Sequence, residues 1–125
     1  MTKPTTIAIV EDDEPLRDAI SNLLRSSGMK TQLYTSALDY LQSGESDSDL
    51  VITDMAMPGM TGLQLQEAMI SRKDPRPIIV ITALVDAAVT RRAGELGAIA
   101  CLLKPVDEAT LMRAIDAALE SRGAG

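Results

Sequence analysis

Five times along the chain, a short run of apolar and β-branched residues gives way to a segment with helical spacing. The runs are Thr6–Val10, Lys30–Tyr34, Leu50–Thr53, Ile78–Thr82 and Ile99–Leu103, of strand length and bounded by polar or turn-forming residues. Between them, Leu16, Ile20, Leu23 and Leu24 mark a first helix, and Ala37, Leu38 and Leu41 a short second one. Leu65, Met69 and Ile70 mark the third, Val89, Ala93 and Leu96 the fourth, and Leu111, Ile115, Ala118 and Leu119 the last. Gly28, Gly44 and Gly97 fall near helix ends, and Pro58-Gly59 reads as a turn. Strict alternation of this kind demands parallel strands, because each strand–helix–strand crossover is right-handed and packs its helix back onto the sheet. The predicted fold is therefore α/β: a flavodoxin-like (βα)5 doubly wound parallel sheet with strand order 2-1-3-4-5. Lys30–Tyr34 is the most polar run and fits an edge. The other four are near-continuous apolar runs, expected to be buried on both faces.

A chain of 125 residues has room for one core, so a single domain over 1–125 is expected. SGESDSD at 43–49 reads as a polar loop and SRGAG at 121–125 as a frayed tail. Lys plus Arg number 12 against 18 Asp plus Glu, a formal net charge of −6. That balance excludes nonspecific nucleic-acid binding, which needs a basic surface to replace phosphate counterions. The longest apolar stretch, Ile78 to Val85 interrupted only by Thr82, is too short to span a bilayer. The opening MTKPTTIAIVEDDE is too soon acidic for a secretory signal. One cysteine, Cys101, leaves no intramolecular disulfide and no multi-cysteine metal site. A reducing cytoplasm is the expected setting, with no membrane partner.

There is no histidine, hence no imidazole base, no His metal ligand and no Ser–His or Cys–His pair. With no Phe or Trp and only Tyr34 and Tyr40, there is no aromatic platform for stacking bases. Any chemistry has to run on carboxylates, hydroxyls, lysine and a hard metal.

Ligands in such a fold bind beyond the carboxyl ends of the strands, at the switch point between the first and third. Past the first strand stand Glu11, Asp12, Asp13 and Glu14; the third ends in Thr53-Asp54, the fourth in Thr82-Ala83, the fifth in Lys104-Pro105. Converging carboxylates repel unless a cation joins them, and all-oxygen ligands select Mg²⁺. A facing lysine and a threonine hydroxyl would neutralise and bind phosphoryl oxygens. No GxxxxGK[ST] loop or GxGxxG fingerprint is present to cradle a nucleotide. An aspartate can be the nucleophile, forming an acyl phosphate without a base. Asp54 is the candidate, since it stands alone at its strand end while the acidic run supplies ligands in excess.

Taken together, IVEDDEPLR, VITDMAMPGMTG, IVITA and LLKP resemble the receiver domain of two-component response regulators along essentially the whole chain. The wording is closest to receivers that precede a LuxR-type helix-turn-helix domain, and no such output domain is expected within these residues. The resemblance implies that Asp54 is the phosphoacceptor. It implies that Asp12 binds Mg²⁺ directly, Glu11 through water, and the backbone carbonyl of Ala56 as a third protein ligand. Thr82 matches the switch hydroxyl, Ala83 the small residue that leaves room for the phosphoryl group, and Lys104 the family's lysine, followed by a cis Lys104-Pro105 bond. The implied partners are a sensor histidine kinase or histidine phosphotransfer protein, an output domain or protein reached through the face of the fourth helix, fifth strand and fifth helix, and a second copy in a homodimer whose face the sequence does not name. One departure stands out. The family's usual Tyr or Phe three residues before the lysine is Cys101 here, and the usual aromatic after Lys-Pro is Val106. The expected replacement for an aromatic swing is a shift of the loop after Thr82, carrying Leu84 and Val85.

Plainer readings stand beside these. Acidic residues at a helix start serve as caps and dipole partners, which suits Glu14 and partly Asp13. Thr82 can be an ordinary buried hydroxyl, and Lys104 a solvated lysine. Cys101 is expected to be a small buried hydrophobe, and Met55, Met57 and Met60 either core or an adaptable surface. Three functions compete: a signalling module whose own chemistry is confined to gain and loss of a phosphoryl group at Asp54, a phosphorylation-independent interaction domain, and a small phosphatase. An Asp-nucleophile phosphatase of the haloacid dehalogenase type carries a general-acid Asp two residues after the nucleophile, where this chain has Ala56.

Overall fold

The computed structural model describes residues 4–43, 47–83 and 86–124. Five strands and five helices alternate: β1 Thr6–Val10, α1 Glu14–Ser26, β2 Lys30–Tyr34, α2 Ala37–Gln42, β3 Leu50–Asp54, α3 Gly62–Ser71, β4 Ile78–Thr82, α4 Ala87–Glu95, β5 Ala100–Leu103 and α5 Glu108–Ala124. All pairings are parallel and the order is β2-β1-β3-β4-β5, as the alternation of elements predicts. No helix among the described residues is long and apolar enough to cross a membrane.

Period-two alternation along the strands sorts the core into two layers. Ile7, Ile9, Leu50, Ile52, Ile79 and Ile81 point to one face, where Ile20 and Leu24 of α1 and Leu111, Ile115 and Ala118 of α5 cover them. Ala8, Val10, Val51 and Ile78 point to the other, under Ala37, Tyr40 and Leu41 of α2 and Leu65 and Met69 of α3. Met57 joins that second layer, while Met55 packs with Val80 and Ala93. These two methionines are therefore core, and Met60 is partly buried against them.

Helix starts follow local chemistry. Asp13 caps α1 by accepting from Leu16 N at 3.0 Å, Ser36 caps α2, and Asp86 caps α4. Thr61 and Gln64 close a reciprocal capping box on α3. Gly28 and Gly97 take φ of +88° and +96° just past α1 and α4, the left-handed stop that glycine makes at low cost; Gly44 lies outside the described residues. At the sheet's amino-terminal end, Asp74 accepts from Tyr40 Oη at 3.1 Å and pairs with Arg76 at 3.0 Å. Burial first, then the Asp74 charge, push the Tyr40 phenol up to about 12.

Four expectations change. β5, at the edge that the expected order gives it, is half-buried and not covered on both faces, with Ile99 outside it and 41% exposed. Leu38 points to solvent and Tyr40 takes the buried position in α2; likewise Ile70 is exposed and Gln66 is buried in α3. Cys101 is half-buried. Finally, α5 keeps helical backbone to Ala124, where a frayed tail was expected; no proline or glycine interrupts it before Gly123.

One glycine fixes how closely α3 can approach the end of β3. A Cβ on Gly62 would stand 2.8 Å from Asp54 O and 3.0 Å from Met55 Cα, both backbone atoms that side-chain rotation cannot move. Gly62→Ala should therefore lower stability by about 1–3 kcal/mol, as overpacking does, and displace the backbone that carries Asp54. Denaturant midpoints check the first effect, and amide chemical shifts of Asp54 and Met55 the second.

Candidate functional site

The carboxyl edge of the sheet gathers residues from three separated segments. Asp54 ends β3 and is 5% exposed; Glu11 follows β1 and is 2% exposed. Asp12 lies beside them at the exposed rim, and oxygens of the three carboxylates fall within 4.8 Å of one another. Lys104, just past β5, reaches across with Nζ 3.0 Å from Asp54 Oδ2 and 3.3 Å from Glu11 Oε1. The Lys104–Pro105 peptide is cis, and Lys104 N donates to Thr82 O at 2.8 Å, tying the lysine to the end of β4.

Backbone contacts hold the two acids in place. Asp54 Oδ1 accepts from Ala56 N at 3.3 Å, and Thr53 Oγ1 donates to Asp54 O at 3.0 Å. Glu11 Oε2 accepts from Asp13 N at 3.3 Å, while Arg17 Nη1 donates to Glu11 O at 2.9 Å. Glu11 Oε1 is different. It is buried and accepts no hydrogen bond; its contact with Lys104 at 3.3 Å has the distance of an ion pair without hydrogen-bond geometry. A buried carboxylate oxygen lacking a donor, beside two further carboxylates, is the donor set a hard cation takes.

Electrostatics agree with the geometry. Burial, the close approach of the Asp54 carboxyl and its charge outweigh the Asp13 amide and push Glu11 from 4.5 up to about 7. At Lys104, burial works against the ammonium, yet the hydrogen bond to Asp54 and the charges of Glu11 and Asp54 prevail and raise its pKa. One ammonium thus serves two carboxylates.

Of the residues singled out in the sequence, the structure brings Glu11, Asp12, Asp54, Ala56 and Lys104 together. Thr82 is buried at the end of β4, one residue beyond Ile81, the register partner of Asp54, and Ala83 follows it, exposed. Ala56 enters through its amide. Cys101 sits lower on β5, paired with Val80, and lines an open cavity of about 420 Å³ with Thr82, Ala87, Thr90 and Leu103. That cavity is why it is half-buried instead of enclosed. Leu84 and Val85 lie outside the described residues. Two contributors carried no recognised signal: Arg17, which fixes the Glu11 backbone, and Gly62, whose clue was its place after a Thr that opens a T-x-x-Q capping box.

The family described as response regulator receiver domain matches residues 7–116, and the chain belongs to it. It is 33% identical over 120 residues to the transcriptional regulatory protein FixJ of Azorhizobium caulinodans, covering 95% of this chain and 57% of that protein. It is 38% identical over 117 residues to the Regulator of RpoS of Escherichia coli K12, covering 90% and 35%. The chain thus spans about half the length, or less, of these curated relatives. The crystal structure of FixJ-N superposes with TM-score 0.85 at 29% identity, covering 95% of this chain and 96% of that one. A low-resolution structure of the response regulator StyR gives 0.87 at 37% identity, covering 98% of this chain and 64% of that one.

The raised Glu11 pKa has a stability consequence whose sign is fixed. The folded chain binds the Glu11 proton more tightly than an unfolded chain does, so protonation favours folding. This contribution is complete below 4.5 and is lost as pH rises through about 7. With divalent ions chelated, the part of the stability due to Glu11 should fall between about pH 4.5 and pH 7, and Glu11→Gln should flatten that slope. Denaturant midpoints across this range are the measurement; an equally steep slope in the variant would assign the effect elsewhere.

Proposed function

We propose that this receiver domain accepts a phosphoryl group on Asp54 from a phosphohistidine of a sensor histidine kinase or histidine phosphotransfer protein. The observation that carries the reading is the Asp54 carboxylate at the end of β3, 3.0 Å from Lys104 Nζ and within 4.8 Å of two other carboxylates. The chain has no histidine, so the donor imidazole comes from the partner.

In the transfer, an Asp54 oxygen attacks phosphorus, the O–P bond forms, the P–N bond breaks, and the imidazole leaves and takes up a proton from water. Lys104 moves its hydrogen bond from the Asp54 oxygen to a phosphoryl oxygen, so its charge stays paired throughout. Thr82 supplies a hydroxyl at the neighbouring strand end, and Ala83 leaves space for the group. Glu11, Asp12, Asp54 and the Ala56 carbonyl would hold Mg²⁺, which when bound neutralises charge on the transferred group. The residue two places after Asp54 is Ala56, with no acid to assist hydrolysis. The acyl phosphate should persist as a signal and not turn over as in a phosphatase. Output follows by contact through α4, β5 and α5, with a protein partner, an appended domain or a second copy.

Incubation with acetyl phosphate and Mg²⁺, read by intact mass, should add one phosphoryl group that survives acid and is lost in base. Asp54→Asn should abolish it. Labelling of that variant equal to the parent would remove Asp54 as acceptor. No adduct from acetyl phosphate or a phosphorylated kinase would favour an interaction domain that works unphosphorylated. Steady release of phosphate from a phosphomonoester would favour the phosphatase.

The metal expectation has its own readout. A ligand held only by the folded state stabilises by RT ln(1 + [L]/Kd), about 2.7 kcal/mol at a hundredfold excess over Kd. Mg²⁺ should therefore raise the melting temperature of the parent, more at pH 8 than at pH 6 because the ion competes with the Glu11 proton. Asp12→Asn should lose most of that rise. Equal shifts in parent and variant would place the ion elsewhere.

A further inference from the structure

The outer edge of β2 is open, and its hydrogen-bonding groups can be placed residue by residue. In a parallel pair, alternate residues of one strand bond to a given neighbour and those between them face away. Lys30 N donates to Thr5 O at 2.8 Å, and Glu11 N donates to Tyr34 O at 3.0 Å, so Lys30, Gln32 and Tyr34 are the residues that bond to β1. Thr31 and Leu33 therefore turn their N–H and C=O groups outward, where the order β2-β1-β3-β4-β5 places no further strand. Such groups are a template on which another strand can pair. Neither a proline nor a bulge blunts this edge: β2 reads KTQLY, and its register with β1 runs unbroken from Lys30 to Tyr34.

Beside this edge, α1 and β2 border an open groove of about 590 Å³. Ser21 of α1 is buried and shares a hydrogen bond of 2.8 Å with the Thr31 hydroxyl, which fixes the helix against the strand. Leu33, two residues beyond Thr31 and on the same face, lines the groove and is 45% exposed. Arg25 and Lys30, both exposed, line it too, and no acidic residue does. Neither cation has an ion pair among the described residues. In a chain of net charge −6, two unpaired cations on one groove select a negatively charged occupant. A second copy of β2 brings them no carboxylate, since KTQLY contains none.

We propose that the β2 edge and the groove beside it bind an extended acidic segment of a partner protein, which joins the five-stranded sheet as an added strand. The segment's backbone takes the outward groups of Thr31 and Leu33, a carboxylate meets Arg25 or Lys30, and an aliphatic side chain two residues away covers Leu33. This surface lies at the opposite edge of the sheet from β5, and the proposal does not rest on phosphoryl transfer to Asp54.

The probe is the acetylated, amidated peptide Ser-Glu-Thr-Val-Thr-Glu-Ser, which presents Glu, Val and Glu on one face in either strand direction. Titrated into the ¹⁵N-labelled chain with chelator present, it should shift the Thr31 and Leu33 amides and slow their hydrogen exchange at least about tenfold at saturation. Gln32, whose amide already bonds to β1, should keep its exchange rate. Lysine in place of both glutamates should abolish binding, and so should N-methylation of the three central amides. The double variant Arg25→Glu, Lys30→Glu alters two exposed side chains and should weaken binding at least about tenfold. No response at about 1 mM peptide, shifts confined to β5, or equal binding by the lysine or N-methylated peptide overturns the proposal. Protection of Thr31 and Leu33 that rises with chain concentration alone makes the edge a contact between copies and also overturns it. Peptide binding and acetyl phosphate labelling are read at different residues, so the failure of either is distinguishable from the failure of the other.

Discussion

Glu11 and Asp54 are two buried carboxylates that share a single ammonium, and much of the structure's local detail exists to keep them there. Two acids at this depth cannot both carry charge cheaply, and the molecule shows the compromise: Glu11 is pushed up to about 7 while Lys104 lies closer to Asp54 than to Glu11. The arrangement needs β1, β3 and β5 to end at one level, because the three groups come from chain positions far apart. Parallel register supplies that alignment: Ile9 opposite Ile52, Asp54 opposite Ile81, and Thr82 opposite Leu103. Gly62 lets α3 close against the Asp54 carbonyl without a Cβ in the way. The apolar core is thus what makes an electrostatically unfavourable cluster tolerable.

The strands were legible because burial on both faces forces near-continuous apolar runs, and the edge at β2 because its sequence, KTQLY, is polar. The site was legible for a geometric reason: in a parallel sheet all carboxyl ends lie together, so the residue after each strand is enough to assemble it. Helix faces were harder. In α3, Leu65, Met69 and Ile70 fit helical spacing, but so do Leu65, Gln66 and Met69, and the two sets differ only by a rotation of the helix. Docking against Ala93 selects the second, burying an amide and exposing an isoleucine. Propensity cannot see this, since the choice depends on a carbonyl at the end of another helix. The same holds for Tyr40 over Leu38, where Asp74, 34 residues away, supplies the partner for the phenol. β5 misled only in its burial: its apolar run reads as covered on both faces, although the order 2-1-3-4-5 places it at an edge.

Cys101 gains its meaning from what surrounds it. A thiol on a half-buried strand is ordinary. This one lines an open cavity with Thr82, Arg91 and Leu103, and its sulfur stands 4.0 Å from Thr90 Oγ1 of α4. The fully buried residues of α1 and α5 leave their helices little freedom, because a packed interior has one arrangement and not a continuum. α4 meets the sheet more narrowly, through Val89 and Ala93 against Met55 and Val80. Asp86 caps its first turn through the Ala88 and Val89 amides, so the short helix holds together on the one apolar stripe that Val89 and Ala93 share.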